Sequence, residues 1–248
     1  MRASLIAVAG LLFAAATCLT AAELSPDEKK LQAEFQKAYR VNDKDARKSA
    51  LVMMEGTKHP SSWSMVANVA ATDPELDVRV AAVTILAKVP AHDTSIARQL
   101  AGLYSNLKAN DFQGRLDYAK AMAAIEFKAD VVYAIGEHLS KLRYPDIPPL
   151  LQTSGAAGSG DNRRQIEAAK KARKEFEELL EAWNAISKSE LTSPTKDTPQ
   201  LMKTWLTTGV AKLAQADREL ADKYKKEDAE AAKAAKAANS ANNSKKVN

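Results

Sequence analysis

Residues 73–89 read DPELDVRVAAVTILAKV, and whether this β-branched run is a strand or a helix decides the fold. A strand would place Val78, Val80 and Ala82 on one face, but the alternation fails across Ala81, Ala82 and Val83, and the run outlasts a typical strand of about 5–6 residues. A helix aligns Leu76, Val80, Val83 and Ala87 along one flank, with Val78, Ala82, Ile85, Leu86 and Val89 beside it, a period near 3.6. Asp73 as the cap, Pro74 at the first helical position and Pro90 past the end supply the expected boundaries.

The same grammar recurs on both sides. DARKSALVMM (45–54), DVRVAAVTIL (77–86) and QGRLDYAKAM (113–122) align on Arg47, Arg79 and Arg115, which stand 32 and 36 positions apart. Each follows another amphipathic stretch: DEKKLQAEFQKAYRV (27–41), SSWSMVANVAAT (61–72) and TSIARQLAGLYSNL (94–107). A fourth leading helix, ADVVYAIGEHLSKL (129–142), runs into RYPDIPPLLQ (143–152), where Pro145, Pro148 and Pro149 interrupt the helix expected to partner it. One helix pair cannot bury its apolar face alone, whereas three or more stacked pairs share a continuous core.

This arrangement resembles the HEAT-repeat family, over residues 24–150. The match is closest at Asp73, Val78 and Arg79, and partial at Asp43 with Arg47 and at Asp111 with Arg115. The resemblance implies an all-α, short α-solenoid of helix pairs. It also implies that Asp43, Arg47, Asp73, Arg79, Asp111 and Arg115 hold successive repeats in register, a structural task rather than a catalytic one.

Beyond the repeats, QTSGAAGSGDN marks a Gly/Ser-rich linker at residues 151–162. Residues 163–228 then read as a helical hairpin. Ile166, Ala169, Ala172, Phe176, Leu179, Leu180, Trp183 and Ile186 share one face of its first helix, and Leu201, Trp205, Leu206, Val210, Leu213, Leu220 and Tyr224 are spaced for its second. Their apolar faces are expected to cover each other, the end of the repeats or a second subunit. Residues 229–248, rich in Ala, Lys and Asn, read as a disordered, fraying tail: Ala and Lys are able to extend the helix, while the terminal Asn and Ser favour disorder.

The chain opens with MRASLIAVAGLLFAAATCLTAAE. Arg2, an apolar core shorter than a membrane span and small residues before position 23 define residues 1–22 as a secretory signal peptide. The expected location is extracytoplasmic, in a periplasm or outside the cell, with no transmembrane span. Cys18, the single cysteine, lies in this leader, so no disulfide or Cys-ligated metal is expected after cleavage. A lipid anchor on Cys18 is the lesser reading, because Ala15, Ala16 and Thr17 lack the Leu and the small residue that usually precede a lipidated cysteine.

The net charge of +5 is unevenly placed. Residues 23–150 are balanced, and the excess lies in Arg2 and the C-terminal part, far below the density of a nucleic-acid binder. Its sharpest cluster, Arg163, Arg164, Lys170, Lys171 and Lys174, is the candidate anion contact on a helix face, to lipid headgroups or acidic polymer. Interleaved glutamates favour instead a solvated face with i to i+4 pairing, Arg163 to Glu167 and Lys170 or Lys171 to Glu175.

No GxSxG elbow, P-loop or GxGxxG in a βαβ setting occurs. His59 and His92 occupy equivalent loops, but two histidines and Asp93 make an incomplete zinc site. The expectation is therefore no enzyme activity, no cofactor and no metal. Trp63, Trp183 and Trp205 sit on apolar faces, as core residues do. The chain reads as an exported protein-protein interaction scaffold with an unidentified protein partner, an envelope-surface or anionic-polymer binder acting through residues 163–174 being the alternative. Self-association through the hairpin is a secondary expectation.

Overall fold

Residues 76–87 of the opening stretch are helical. The computed structural model describes residues 24–108, 110–145, 160–191 and 194–245, with the side chains of 160–163 and 238–245 outside the description. Every regular element among them is helical. In chain order they are α1 (Pro26–Tyr39), α2 (Lys44–Val52), α3 (Pro60–Thr72), α4 (Leu76–Ala87), α5 (Ser95–Ser105), α6 (Phe112–Ala121) with a 3-10 turn (Met122–Ala124), α7 (Ala129–Lys141), α8 (Gly160–Ser187) and α9 (Thr198–Lys245). No helix among the described residues is long and apolar enough to cross a membrane.

The strand-like look of α4 has a physical cause. Val78, Ala82, Val83, Ile85, Leu86 and Ala87 are all buried, because α2, α3, α5, α6 and the 3-10 turn surround this helix. A helix covered on several sides carries apolar side chains around most of its girth, so its periodicity is weak. Its start differs from expectation. Glu75 is the cap residue and contributes no side-chain bond, while Pro74 stays in the turn and Asp73 accepts the Glu75 N–H at 2.9 Å. The Asp73 carboxylate also holds Arg47 and Tyr39, which keeps it in the turn rather than on the first helical amides.

The helices form pairs, α1 with α2, α3 with α4, α5 with α6 and α7 with α8. They also touch in two rows: α2, α4, α6 and α8 in succession on one side, α3, α5, α7 and α9 on the other. Helix α8 therefore stands where the interrupted partner of α7 was expected, on the far side of residues 146–159, which lie outside the described residues. That includes most of the expected linker, residues 151–159, whereas residues 160–162 begin α8.

Helices α8 and α9 do not lie face to face along their lengths. Trp183 and Trp205 meet edge to face with centroids 4.8 Å apart, and the apolar faces otherwise cover α6 and α7. Gly136 makes this approach feasible: a Cβ there would sit 2.8 Å from Leu206 Cδ2 of α9 and 3.0 Å from Trp183 Nε1 of α8. With the space open, the fully buried Trp183 donates its indole N–H to the Val132 carbonyl at 2.9 Å.

Helix α9 runs past the N-terminal end of α7. Its buried Asp217 accepts the Lys128 N–H at 3.1 Å and the Ala129 N–H at 2.9 Å, capping α7 from another element. Farther on, Tyr224 donates to Glu126 at 2.5 Å and stacks on His92, which bonds Asp228 at 2.9 Å. The Ala/Lys-rich residues 229–245, expected as a disordered tail, continue as helix backbone. Alanine carries the highest helix propensity, so the extension needs no apolar face.

Replacing Gly136 with Val should force α8 or α9 away from α7 and cost about 1–3 kcal/mol. Denaturant unfolding followed by tryptophan emission would measure it, and a variant as stable as the parent, with unchanged emission, would contradict this account of the glycine.

Candidate interaction surface

The aspartates and arginines singled out in the sequence gather at the turns within the first three helix pairs. Asp43 caps α2 by accepting the Ala46 N–H at 2.8 Å, and Asp111 caps α6 by accepting the Gly114 N–H at 3.0 Å. A Cβ on Gly114 would lie 2.5 Å from Asp111 Oδ2, so the carboxylate would have to shift to admit a side chain there. Asp73 ends α3 instead.

The three arginines each return to the turn before their own helix. Arg47 donates to the Asn42 carbonyl at 3.0 Å, and Arg79 to those of Asp73 and Pro74 at 2.8 and 3.3 Å. Arg115 donates to the carbonyls of Leu107, Lys108 and Tyr104 at 2.5, 3.3 and 3.4 Å. A guanidinium at the end of a preceding helix satisfies carbonyls left without an intrahelical donor and faces the negative end of its dipole.

The three Asp–Arg sets, expected to differ in how closely they match, make different contacts. Only Arg47 forms an ion pair with one of the named aspartates, donating Nε and Nη2 to Asp73 at 2.9 and 3.2 Å. That bidentate contact joins α2 to the α3–α4 turn and so links two pairs. Arg79 and Arg115 bond main-chain oxygens because Asp73 is already engaged and Asp111 is folded onto α6. Links between pairs at other positions use residues the sequence reading passed over: Lys44 to Asp77 at 3.5 Å, Lys88 to Glu55 at 3.2 Å, and the Tyr118 hydroxyl to the Ala70 carbonyl at 2.8 Å.

Tyr39 completes the Asp73 site by donating its hydroxyl to the same carboxylate. Burial and then the Asp73 bond push the Tyr39 pKa well above the ordinary phenol range. For Asp73, burial pushes upward, but the bonds from Arg47, Tyr39 and the Glu75 amide outweigh it and leave the pKa below the usual value. Neighbouring groups follow the same physics. Burial raises Tyr104 to about 12 against the opposing charge of Arg115, which lies 5.2 Å over its ring. Burial, with Arg115 and Lys141 nearby, lowers His138 to about 4.

The basic face of α8 is largely neutralised. Lys170 pairs with Glu167 at 3.3 Å, Lys171 with Glu175 at 3.7 Å and Lys174 with Glu178 at 3.8 Å. Arg164 is exposed, and the Arg163 side chain lies outside the described residues. The adjacent Arg173 lies over the Tyr144 ring and donates to the Pro145 carbonyl. His59 caps α3 through its ring nitrogen, and His92 faces α9, so the two loop histidines serve separate contacts. Among the tryptophans, Trp183 is fully buried, while Trp63 and Trp205 are partly buried against the same core.

Comparison with known proteins adds no assignment: no family model, no curated protein and no solved structure matches the chain.

Two pH effects follow. The contribution of Asp73 is present above the ordinary carboxylate pKa of about 3.9 and is lost as pH falls through its lowered folded value. Asp73→Asn should therefore lower the thermal midpoint at pH 7, with the gap to the parent narrowing below about pH 4; a gap independent of pH would reject the linkage. His138 acts at milder acidity. Because its folded pKa is depressed, the folded state loses stability as pH falls from about 6.5 toward 4. His138→Gln should flatten that part of the stability profile, and an unchanged slope between pH 6.5 and 4 would count against the effect.

Proposed function

We propose that the chain is an exported, non-catalytic protein-protein interaction scaffold built as a short α-solenoid of HEAT-like repeats. The observation that carries this reading is the contact pattern: α1 to α8 meet in pairs, and α2 to α9 touch their neighbours along two rows. Quasi-one-dimensional stacks of this kind present extended surfaces that suit macromolecular partners. The fold's buried polar groups support the same reading, since Asp73, Arg47, Arg115 and Asp217 are spent on joining helices and turns.

The leader-like residues 1–22 support export, and the lysine–glutamate pairs of α8 favour the scaffold over the envelope-surface binder. The test is retention of an extracytoplasmic extract on residues 23–248, with each retained protein purified and checked for a defined stoichiometric complex by analytical ultracentrifugation. The expected result is one partner that survives moderate salt and also binds a variant with Lys170, Lys171 and Lys174 reversed to Glu. Retention that vanishes with both salt and charge reversal would transfer the function to the anionic-surface alternative.

A further inference from the structure

The turn edge between the second and third helix pairs holds a cleft of about 550 Å3, open to solvent. Arg79 of α4, Lys108 of the α5–α6 turn, and Leu103 and Leu107 line it, with Asp111 and Tyr118 of α6 on the same wall. Its charge is not consumed by the fold. Among the described residues, no carboxylate lies within ion-pair distance of Arg79 or Lys108.

Of the other polar side chains on the cleft, Asp111 and Tyr118 are bonded within the fold, Asn106 also lines it, and Asp111 leaves one negative charge beside the two cations. Asp111 is turned onto the first turn of α6, where Oδ1 accepts the Gly114 N–H. The Tyr118 hydroxyl donates to the Ala70 carbonyl and also lies beside the Arg79 guanidinium, whose charge and hydrogen bond work against the burial that raises the tyrosine. Arg79 is anchored through Nη1 by the Asp73 and Pro74 carbonyls, which fixes the guanidinium without neutralising it. A planar, anchored guanidinium with donors to spare is suited to a carboxylate, and a flexible ammonium beside it serves as a second point charge. Leu103 and Leu107, partly buried, add apolar surface next to the two cations.

We propose that this cleft seats an acidic peptide segment of the protein partner, with one carboxylate on Arg79, another on Lys108 and an apolar side chain against Leu103 and Leu107. The inference rests on the scaffold reading and names the chemistry of what the scaffold holds. Acidic side chains fit better than a lone chain terminus, because the two cations stand on different elements and call for charge at more than one position.

The probe is an acetylated, amidated Leu-Asp-Glu-Leu peptide titrated into the isotope-labelled protein, followed by NMR at the Arg79 side chain and the Asn106 and Leu107 amides. Saturable shifts at these groups are expected, weakening with salt and absent for the Leu-Asn-Gln-Leu control. Lys108→Gln should weaken binding about 3-fold, the scale of a partly exposed ion pair, and Arg79→Gln by at least as much. Lys108 is exposed, so its variant remains informative even where loss of Arg79 disturbs the turn. Equal binding of the control peptide, shifts confined to the α8 lysines, or affinity untouched by both substitutions would overturn the proposal. A partner protein that binds the Arg79→Gln, Lys108→Gln double variant as tightly as the parent would remove the cleft and leave the scaffold standing. Peptide binding at the cleft with no protein partner found would do the reverse.

Discussion

Both long C-terminal helices pack on α7, and the contact that sets their spacing from it is the Trp183 indole against the backbone of that helix. The indole reaches Val132 only because Gly136 presents no side chain. Leu206 of α9 comes to the same glycine from the other helix. One missing Cβ thus sets how close two long helices come to α7. The cost of glycine in a helix, about 1 kcal/mol relative to alanine, is offset by burial of the largest side chain in the core, worth roughly 1.5–3 kcal/mol for a large apolar residue.

A second constraint governs the turns. Helix ends leave amides and carbonyls without partners, and here the groups that satisfy them often come from a different helix. Glu28 of α1 accepts the Lys58 and His59 amides at 3.0 and 3.1 Å, ahead of α3, and Asp217 of α9 does the same for α7. Arginines of α2, α4 and α6 serve the carbonyl side. Apolar contact brings the rows together, and these directional bonds fix how far each helix slides along its neighbour. The buried Arg47–Asp73 pair belongs to this class: desolvation offsets much of its Coulomb gain, so its contribution lies in specifying one arrangement.

The helices of residues 24–142 were legible because apolar residues recur at helical spacing in each, with a capping residue or proline marking the start of α1, α2, α3 and α6. Arg47, Arg79 and Arg115 were legible as repeating elements, but their partners were not. Spacing from Asp to Arg cannot tell a side-chain pair from a carbonyl contact, since that depends on what else has claimed the carboxylate. The place of α8 was hidden by residues 146–159, whose prolines and glycines read as a boundary between separate units; a helix returning to complete a pair leaves no local mark. Gly136 and Asp217 were missed for the same reason, because each matters through an element distant in sequence. Composition left the end of α9 open, because the helix propensity of its alanines competes with the Asn and Ser that follow them.

Contacts confined to neighbours also dictate where the molecule opens first. Helix α4 is enclosed on several sides, whereas α1 fully buries Phe35 alone and α9 has only partly buried residues after Asp217 in its described length. Local opening free energy follows buried apolar contact, so both ends of the chain's helical rows lie at the low end of the stability range and the α4–α7 region at the high end. The cleft beside Arg79 sits in that stable middle. Its cations are presented on a rigid edge, so an acidic segment binding there would meet little ordering cost from the protein and bear most of that cost itself.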